Sequence, residues 1–348
     1  MLVDLRSDTV TKPSAQMREA MRAADVGNAS WDEDPTVLAL ETAAARATGK
    51  EAALFCASGT MANQVALAAH CVGVIAPEVV LEQRSHIFLN EAAGLALVAR
   101  AQARVLGSDR GALRPADVAA AIHAPGNVLR ATTALVCTED THNYWSGRAI
   151  PVRDLEAVRV AAHERRVPVH LDGARIFNAA VALACDARDL AATADTVQFC
   201  FSKGLGAPMG SIVCGSSAFR ASARRLRQAL GGGLRQAGVV AAPALLALEH
   251  NVKRLADDHA NAALLASALR DAGVDAPVPD TNIVIFDVAP LGVAPDRFAA
   301  LAKERGVGVS VVSGREVRLV THLDAPRALC ERAAEALADV VRGLRAHG

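Results

Sequence analysis

The sequence predicts an α/β fold with a large, mostly parallel sheet and a smaller α+β domain at its C-terminal end. Short runs of continuous apolar residues alternate with helical segments over the first two thirds of the chain, as in sheets whose strands are buried on both faces. Near residue 245 the pattern changes to a long helical tract, several strands and a final helix. At 348 residues the chain is also long for a single core. We therefore predict one domain over residues 1–245 and a second over residues 246–348.

The helices of the first domain are predicted from their ends and from their position between strands. Residues 32–49, DEDPTVLALETAAARATG, have Asp34 at the cap position, Pro35 in the first turn and Gly49 at the end. This combination favours a helix. Residues 59–70, GTMANQVALAAH, predict a second helix after a small loop. Further helices are predicted from RPADVAAAIH and LEAVRVAAHERR.

The strands are predicted from six apolar runs: EVVLEQ, ARVLG, ALVCTED, VPVHLDG, TVQFCFS and GSIVCG. Because helices lie between several of these runs, they favour a parallel layer, and the site of such a sheet lies beyond the carboxyl ends of its strands. In the C-terminal part, ALLALEHNVKRLADDHANAALLASALRDAG predicts a long helical tract. Strands are predicted from NIVIFDV, VGVSVV and VRLVTHLD, and the last helix is expected to begin near Pro326.

Composition limits the classes of partner. Basic and acidic residues balance at 37 each, so no charge excess indicates a nucleic-acid or acidic-membrane partner. Seven single cysteines without a CxxC pair are typical of reduced thiols rather than of disulfides or a metal site. The N-terminal stretch MLVDLRSDTV has no apolar core of signal-peptide length, and no run predicts a membrane span. We expect a cytoplasmic protein without a metal.

Polar residues follow several of the predicted strands. Asp172 comes after VPVHL, Lys203 after TVQFCFS, and His86 after EVVLEQ. Residues 58–60, Ser-Gly-Thr, precede a helix whose free N–H groups suit a phosphate. Neither a Walker loop nor a GxGxxG turn is present. A lysine in a loop of small residues, a strand-end carboxylate and a phosphate cradle together fit pyridoxal 5'-phosphate (PLP), bound to the lysine as a Schiff base.

Ten motifs in order then give the chain a resemblance to a known family, the low-specificity L-threonine aldolases of the fold-type I PLP enzymes. The motifs are DLRSDTVTKP, EDPTV, SGTMANQ, SHIFLNEAAG, TEDTHN, HLDGARIFNA, FCFSKGLGAPMGS, GGGLRQAG, DTNIVIFDV and VRLVTHLD. The resemblance implies a transferase-like fold of type I with a seven-stranded sheet, PLP as the cofactor, and a homotetramer built as a dimer of dimers. It also implies retro-aldol cleavage of a β-hydroxy-amino acid substrate to glycine and an aldehyde.

Individual roles also follow from the resemblance. Lys203 would bind PLP, Asp172 would pair with its pyridine nitrogen, and His86 would stack on its ring. The residues implied for the phosphate are Gly59, Thr60 and Ser202. The residues implied for the substrate carboxylate are Ser7, Arg175 and Arg318. His142 would lie near the substrate side chain, and Arg235, after three glycines, would reach a neighbouring subunit's cofactor site.

Several alternatives stay open at this point. His86 and His142 also fit hydrogen-bonded structural roles, and the general base is His86, His142 or an ordered water. In the family a tyrosine-glycine pair usually precedes EDPTV, whereas this chain has Trp31 and Asp32, which indicates either drift in an exposed loop or an altered substrate pocket. The alternative functions are a β-eliminating lyase or an aminotransferase of the same superfamily, or a cofactor-binding protein without turnover.

Overall fold

The structure is a computed structural model that describes residues 2–123 and 125–347. Its strands, in chain order, are β1 (Val3–Asp4), β2 (Ala52–Cys56), β3 (Pro77–Glu82), β4 (Gln102–Leu106), β5 (Thr132–Glu139), β6 (Val169–Asp172), β7 (Thr196–Cys200), β8 (Ser211–Gly215), β9 (Ile283–Asp287), β10 (Val307–Gly308), β11 (Ser310–Val311) and β12 (Glu316–Val320).

Helices cover the sheets and connect their strands. In chain order they are α1 (Ala15–Arg22), α2 (Pro35–Thr48), α3 (Gly59–Cys71), α4 (His86–Leu89), α5 (Gly94–Leu97), α6 (Pro115–Ala121), α7 (Val152–His163), α8 (Ile176–Leu183), α9 (Ala187–Ala191), α10 (Ser217–Ala229), α11 (Gly238–His250), α12 (Leu255–Asp271), α13 (Pro295–Glu304) and α14 (Arg327–His347). Within the described residues, none of them is both long and apolar enough to cross a bilayer.

The large sheet has seven strands in the order β2-β8-β7-β6-β5-β3-β4. Strand β8 runs antiparallel to β2 and β7, and the remaining neighbours are parallel. This confirms the predicted α/β class and the mostly parallel seven-stranded sheet. Strand β2 is not among the six predicted runs, because periodicity alone does not distinguish a five-residue apolar run from a buried piece of helix.

Most predicted elements form where the sequence indicates. Helix α2 has Asp34 as its cap, with Oδ1 accepting from the Val37 N–H at 3.0 Å, and it ends at Gly49 with φ of 66°. The long helical tract expected from residue 244 forms, but it is divided into two helices, α11 and α12, which are separated by residues 251–254. At the break the side-chain amide of Asn251 donates to the carbonyl of Leu205 at 2.7 Å, which ties the break to the loop after Lys203.

The C-terminal strands differ from the prediction in one respect. The run VGVSVV forms two short strands, because β10 pairs with β1 while β11 pairs with β12 in a separate three-stranded sheet, β11-β12-β9. Val3 and Leu5 therefore pack into the second hydrophobic core, together with residues between Ala262 and Val341. The division at residue 245 stays a prediction, and it falls within α11.

The topology brings the polar strand ends to one edge of the large sheet. Strands β5 and β6 are parallel neighbours that end at Glu139 and Asp172. Strand β7 lies next to β6 and ends three residues before Lys203. The site expected beyond these carboxyl ends is therefore assembled by the parallel register.

Candidate active site

A cavity of about 240 Å³ lies at the carboxyl ends of the central strands. It contains six of the side chains that the sequence predicted for the site, and these are Ser7, His86, Asp172, Arg175, Lys203 and Arg318. The other residues that line it are Thr9, Asn90, Glu139, Thr141, Asn143, Tyr144 and Ala174. Since residues from both ends of the chain meet here, the cavity depends on the tertiary fold rather than on one motif.

Asp172 is held in one orientation by donors from three elements. Its Oδ2 accepts from the Asn63 amide at 2.9 Å, and its Oδ1 accepts from the Gln198 amide and from the Ala174 N–H. The residue is 1% exposed. A buried carboxylate fixed in this way can face a cationic group without reorganising.

Charges around Asp172 keep it ionised. Burial acts to raise its pKa, but His86 and Lys203, followed by the hydrogen bond from Asn63, outweigh burial and hold the pKa below its ordinary value. A permanent negative charge at this position is the partner that a protonated pyridine nitrogen requires.

His86 begins α4 and is held at two points. Its backbone N–H donates to Glu139 Oε2 at 2.6 Å, and its Nδ1 lies 3.0 Å from Glu91 Oε1. Burial acts to lower the pKa of His86, but Glu91 and Asp172 more than offset it and the pKa is raised. The side chain is still 31% exposed, so one face of the ring is accessible from the cavity.

Lys203 follows β7 in a loop of small residues that packs closely. At Gly206, φ is 82° and an added Cβ would lie 2.3 Å from Leu323 Cδ2, so this position requires glycine. The loop is closed by a hydrogen bond from the Ala207 N–H to the carbonyl of Phe201 at 3.0 Å. The small residues allow the loop to turn tightly against the C-terminal part of the chain while Lys203 lines the cavity.

The residues predicted to hold a phosphate, Gly59 and Thr60, form the N-terminus of α3. Among the described residues, the backbone N–H groups of Gly59 and Thr60 donate no hydrogen bond. A Cβ on Gly59 would lie 2.7 Å from Cys200 Sγ, so only glycine allows this close approach. Because Asn63 in the same helix bonds Asp172, the helix N-terminus and the carboxylate are fixed relative to each other. Gly59, Thr60 and Ser202 do not themselves line the cavity.

Two guanidinium groups line the cavity on the side of the N-terminal segment. Arg175 donates to both oxygens of the buried Asp8, from Nε at 2.7 Å and from an NH2 group at 2.8 Å. Arg318 donates to Asn143 Oδ1 at 3.0 Å, and its buried Nε has no hydrogen-bond partner. Oriented arginines with a free donor suit a carboxylate. Ser7 accepts from the Thr9 N–H at 3.2 Å beside them.

His142 does not reach the cavity. The residue is fully buried, its Nε2 lies 3.0 Å from Glu82 Oε2, and its ring packs so tightly on Gly111 that an added Cβ would lie 2.8 Å from it. The adjacent Thr141 and Asn143 line the cavity instead. His142 therefore does not line the cavity, and its expected place near the substrate side chain stays a prediction.

Trp31 and Arg235 are both exposed and do not line the cavity of their own chain, and Arg235 contacts the two residues that precede Trp31. Trp31 is 69% exposed. Arg235 donates to Ser30 Oγ at 2.6 Å, and its carbonyl accepts from the Ala29 N–H at 2.9 Å. The two residues predicted to act at a substrate pocket or a neighbouring subunit therefore belong to one surface.

Sequence reasoning missed several polar residues that support the site. Asp8, Asn63 and Glu91 stand inside the motifs that carried the resemblance, but nothing in their spacing indicated which strand-end residue each would contact. The chain's single tyrosine, Tyr144, was also missed. Its hydroxyl is 2.8 Å from the Asn90 amide nitrogen at the cavity wall.

The donor set fits PLP. The lysine suits the carbonyl of PLP, and the ionised carboxylate, fixed by its donors, suits the ring nitrogen. The accessible imidazole suits the ring face, and the free N–H groups of the helix N-terminus suit the phosphate. His86, Glu91 and Asp172 each also offer one potential metal-ligand atom, and these three atoms lie within 4.8 Å of one another. A hydrogen bond joins His86 to Glu91, and the Asn63 amide bridges Glu91 and Asp172, so a metal would have to replace these bonds.

Comparisons with known proteins indicate the family of the chain. A family model described as beta-eliminating lyase matches residues 4–290. The low-specificity L-threonine aldolase of Escherichia coli K12 is 40% identical over 346 residues, which are 99% of each chain. The Saccharomyces cerevisiae protein of the same description is 33% identical, over 90% of this chain and 80% of that one. A Leishmania major threonine aldolase structure is similar in fold, with a TM-score of 0.81 at 19% identity, over 97% of this chain and 99% of that one. The chain therefore belongs to the low-specificity L-threonine aldolase family, among the beta-eliminating lyases.

Proposed function

We propose that the protein is a PLP-dependent aldehyde-lyase that cleaves L-3-hydroxy-amino acids, L-threonine and L-allo-threonine among them, to glycine and an aldehyde. Phenylserine-type amino acids belong to the same substrate class. The observation that carries the proposal is that Lys203, the ionised Asp172 and two oriented arginines all border one small cavity. Membership of the aldolase family supports the same reaction.

The proposed cofactor contacts assign one task to each residue. Lys203 would hold PLP covalently through Nζ, Asp172 would face the ring nitrogen, and His86 would lie on the ring. Gly59, Thr60 and Ser202 would hold the phosphate. When bound, PLP supplies a conjugated ring that takes up the electron pair of the broken Cα–Cβ bond.

The proposed substrate contacts follow from the charges. Arg175 and Arg318, with Ser7, would bind the substrate carboxylate and so fix the orientation of the bonds at Cα. The β-hydroxyl must lose a proton as the bond breaks. His86 lines the cavity and His142 does not, so we assign the proton acceptor to His86 or to a water beside it. General-base help of this kind contributes about 10²–10⁴-fold.

We further infer a cytoplasmic homo-oligomer, built as a dimer of dimers, with two domains divided near residue 245. The exposed surface that carries Trp31 and Arg235 supports contact with a second copy, because both side chains lie outside their own cavity. In that arrangement the partner's cavity would receive both residues together. Seven free cysteines, six of them buried, agree with a reducing compartment.

The test is a product assay on the purified protein. L-threonine, L-allo-threonine and phenylserine are incubated with it, and glycine, the aldehyde, ammonia and keto acids are measured. Equal amounts of glycine and aldehyde support the proposal. Ammonia with a keto acid would instead indicate a β-eliminating lyase. Transfer of the amino group would indicate an aminotransferase, and the absence of any product would indicate a cofactor-binding protein. The Lys203→Ala variant is the negative control for product formation.

A further inference from the structure

A buried hydrogen-bond chain connects His86 to Asp172 through two residues without an assigned role. Glu91 Oε1 lies 3.0 Å from His86 Nδ1 and accepts from the Asn63 amide at 2.8 Å. The second hydrogen of that amide goes to Asp172 Oδ2 at 2.9 Å. The Glu91 side chain is 1% exposed. One amide thus bridges two buried carboxylates.

The orientation of Asn63 follows from its neighbours. If its amide were reversed, its oxygen would face two carboxylate oxygens, and both contacts would be repulsive. The Asn63 oxygen therefore points away from them and accepts from His170 Nε2 at 3.1 Å. His170 Nδ1 then accepts from the Thr196 hydroxyl at 2.9 Å. Burial lowers the pKa of His170 to about 3, so this histidine is neutral. The donors and acceptors of the hydrogen-bond chain therefore follow one another in a single direction.

The contacts of Glu91 indicate which ring nitrogen of His86 carries a proton. Glu91 Oε1 receives the Asn63 amide hydrogen, so it acts as an acceptor, while Glu91 Oε2 is buried without a partner. A proton placed on Oε2 would be an unsatisfied buried donor. These contacts favour a proton on His86 Nδ1, whereas burial and the charge of Asp172 raise the pKa of Glu91 and so act against it. No described residue hydrogen-bonds Nε2, the other ring nitrogen of His86.

Four charged side chains lie around this histidine. Glu91 and Asp172 favour its protonated form, and Lys203 opposes it. Glu139, from the end of β5, accepts the His86 backbone N–H at 2.6 Å. Burial is the largest influence on the pKa of His86 and lowers it, and the hydrogen bond to Glu91, the carboxylate in direct contact with the ring, is the largest of those that raise it.

We propose that Glu91 is a positioning residue, whose carboxylate keeps a proton on His86 Nδ1, fixes the ring and leaves Nε2 as the nitrogen presented to the cavity. The catalytic consequence rests on the proposed function: Nε2 is the atom that receives the β-hydroxyl proton, directly or through a water. The bridge through Asn63 links the orientation of this ring to that of Asp172, the carboxylate assigned to the ring nitrogen of PLP.

The test is the titration of His86 itself, measured by deuterium exchange at histidine Cε1 and peptide mass spectrometry on the cofactor-loaded protein. Glu91→Gln preserves shape and an acceptor for Nδ1–H but removes the charge. Because Glu91 favours the protonated form, the midpoint of His86 should fall by about 1–3 pH units. The acid limb of kcat/KM should move to lower pH in parallel.

The chain offers a matched control. Glu78 is also a buried glutamate beside a histidine, with Oε1 3.4 Å from His123 Nδ1, and it lies outside the cavity. Glu78→Gln should leave the His86 midpoint at its wild-type value. An unchanged midpoint in Glu91→Gln would overturn the proposal, as would equal shifts in both variants.

A second variant separates charge from orientation. Glu91→Ala should lower the His86 midpoint as Glu91→Gln does but should lose more kcat/KM, because alanine cannot accept from Nδ1–H. Equal losses in the two variants would overturn the positioning role. The titration needs no turnover. If the protein cleaves no L-threonine but the His86 midpoint shifts as expected, the role of Glu91 is supported and the proposed function is refuted.

Discussion

The ion pair between Asp8 and Arg175 allows a prediction with a definite magnitude. Asp8 is fully buried, the Arg175 side chain is 5% exposed, and two hydrogen bonds of 2.7 Å and 2.8 Å join them. Asp8→Asn keeps the shape but leaves the guanidinium buried without its counter-charge. Removing one partner of a buried pair costs about 3–5 kcal/mol. Since the amide oxygen still accepts one bond, we expect the free energy of unfolding to fall by about 3 kcal/mol.

The stabilisation contributed by Asp8 depends on pH with a definite sign. Burial acts to raise the pKa of Asp8, but Arg175 outweighs it, and the folded-state pKa lies below its ordinary value. A carboxyl of this kind stabilises the fold above its unfolded pKa of about 4, and that contribution is lost as the pH falls through the folded value. The difference between wild type and Asp8→Asn should therefore be largest near neutral pH and should shrink in acid.

The assay combines urea unfolding at several pH values with steady-state kinetics. KM for L-threonine should rise, because Arg175 loses the partner that orients it. Asp4→Asn is the matched control in the same segment. Asp4 and Arg6 are also joined by two hydrogen bonds, of 2.8 Å and 2.7 Å, but their side chains are 26% and 57% exposed, so little change is expected. Equal effects of the two substitutions, or a wild-type stability for Asp8→Asn, would contradict a stabilising role of the buried Asp8–Arg175 pair.

Three further predictions concern the cofactor, the substrate and the assembly. Asp172→Asn should retain some PLP but lose most activity, since a neutral amide does not stabilise a charged ring nitrogen; near-wild-type turnover would remove Asp172 from its role. Trp31→Tyr should lower the ratio of kcat/KM for phenylserine over L-threonine, by up to about tenfold for a stacking gain of roughly 0.5–1.5 kcal/mol. A constant ratio would leave Trp31 as a surface residue. Light scattering at assay concentration should find an oligomer, and a fully active monomer would contradict the expected reach of Arg235 into a partner's site.

The sequence predicted the elements whose signals are local. Asp34, Pro35 and Gly49 marked the ends of α2 because capping depends on neighbouring residues only. Asp172 and Lys203 were identified from their positions after apolar runs, since a parallel sheet brings the ends of its strands to one edge. The break between α11 and α12 was missed, because it is fixed by a contact from Asn251 to a distant loop.

The supporting residues of the site were beyond the reach of local patterns. Asn63 lies on a helix face like any core amide, and only the fold places Asp172 and Glu91 against it. Asp8 is separated from Arg175 by 167 positions, and no spacing rule connects them. His142 shows the converse, because its motif indicated a substrate contact while buried packing holds its ring between Glu82 and Gly111.

The identity of the lysine that carries PLP is the decisive test of the proposed active site. The purified protein is reduced with borohydride, digested, and its lysine peptides are mapped by mass spectrometry. The chain has five lysines, at positions 12, 50, 203, 253 and 303, so the answer is unambiguous. We predict a single reduced PLP adduct on Lys203 and none in Lys203→Ala, which should also release no glycine from L-threonine. An adduct on another lysine, or glycine release by the variant at the wild-type rate, would contradict the proposed active site.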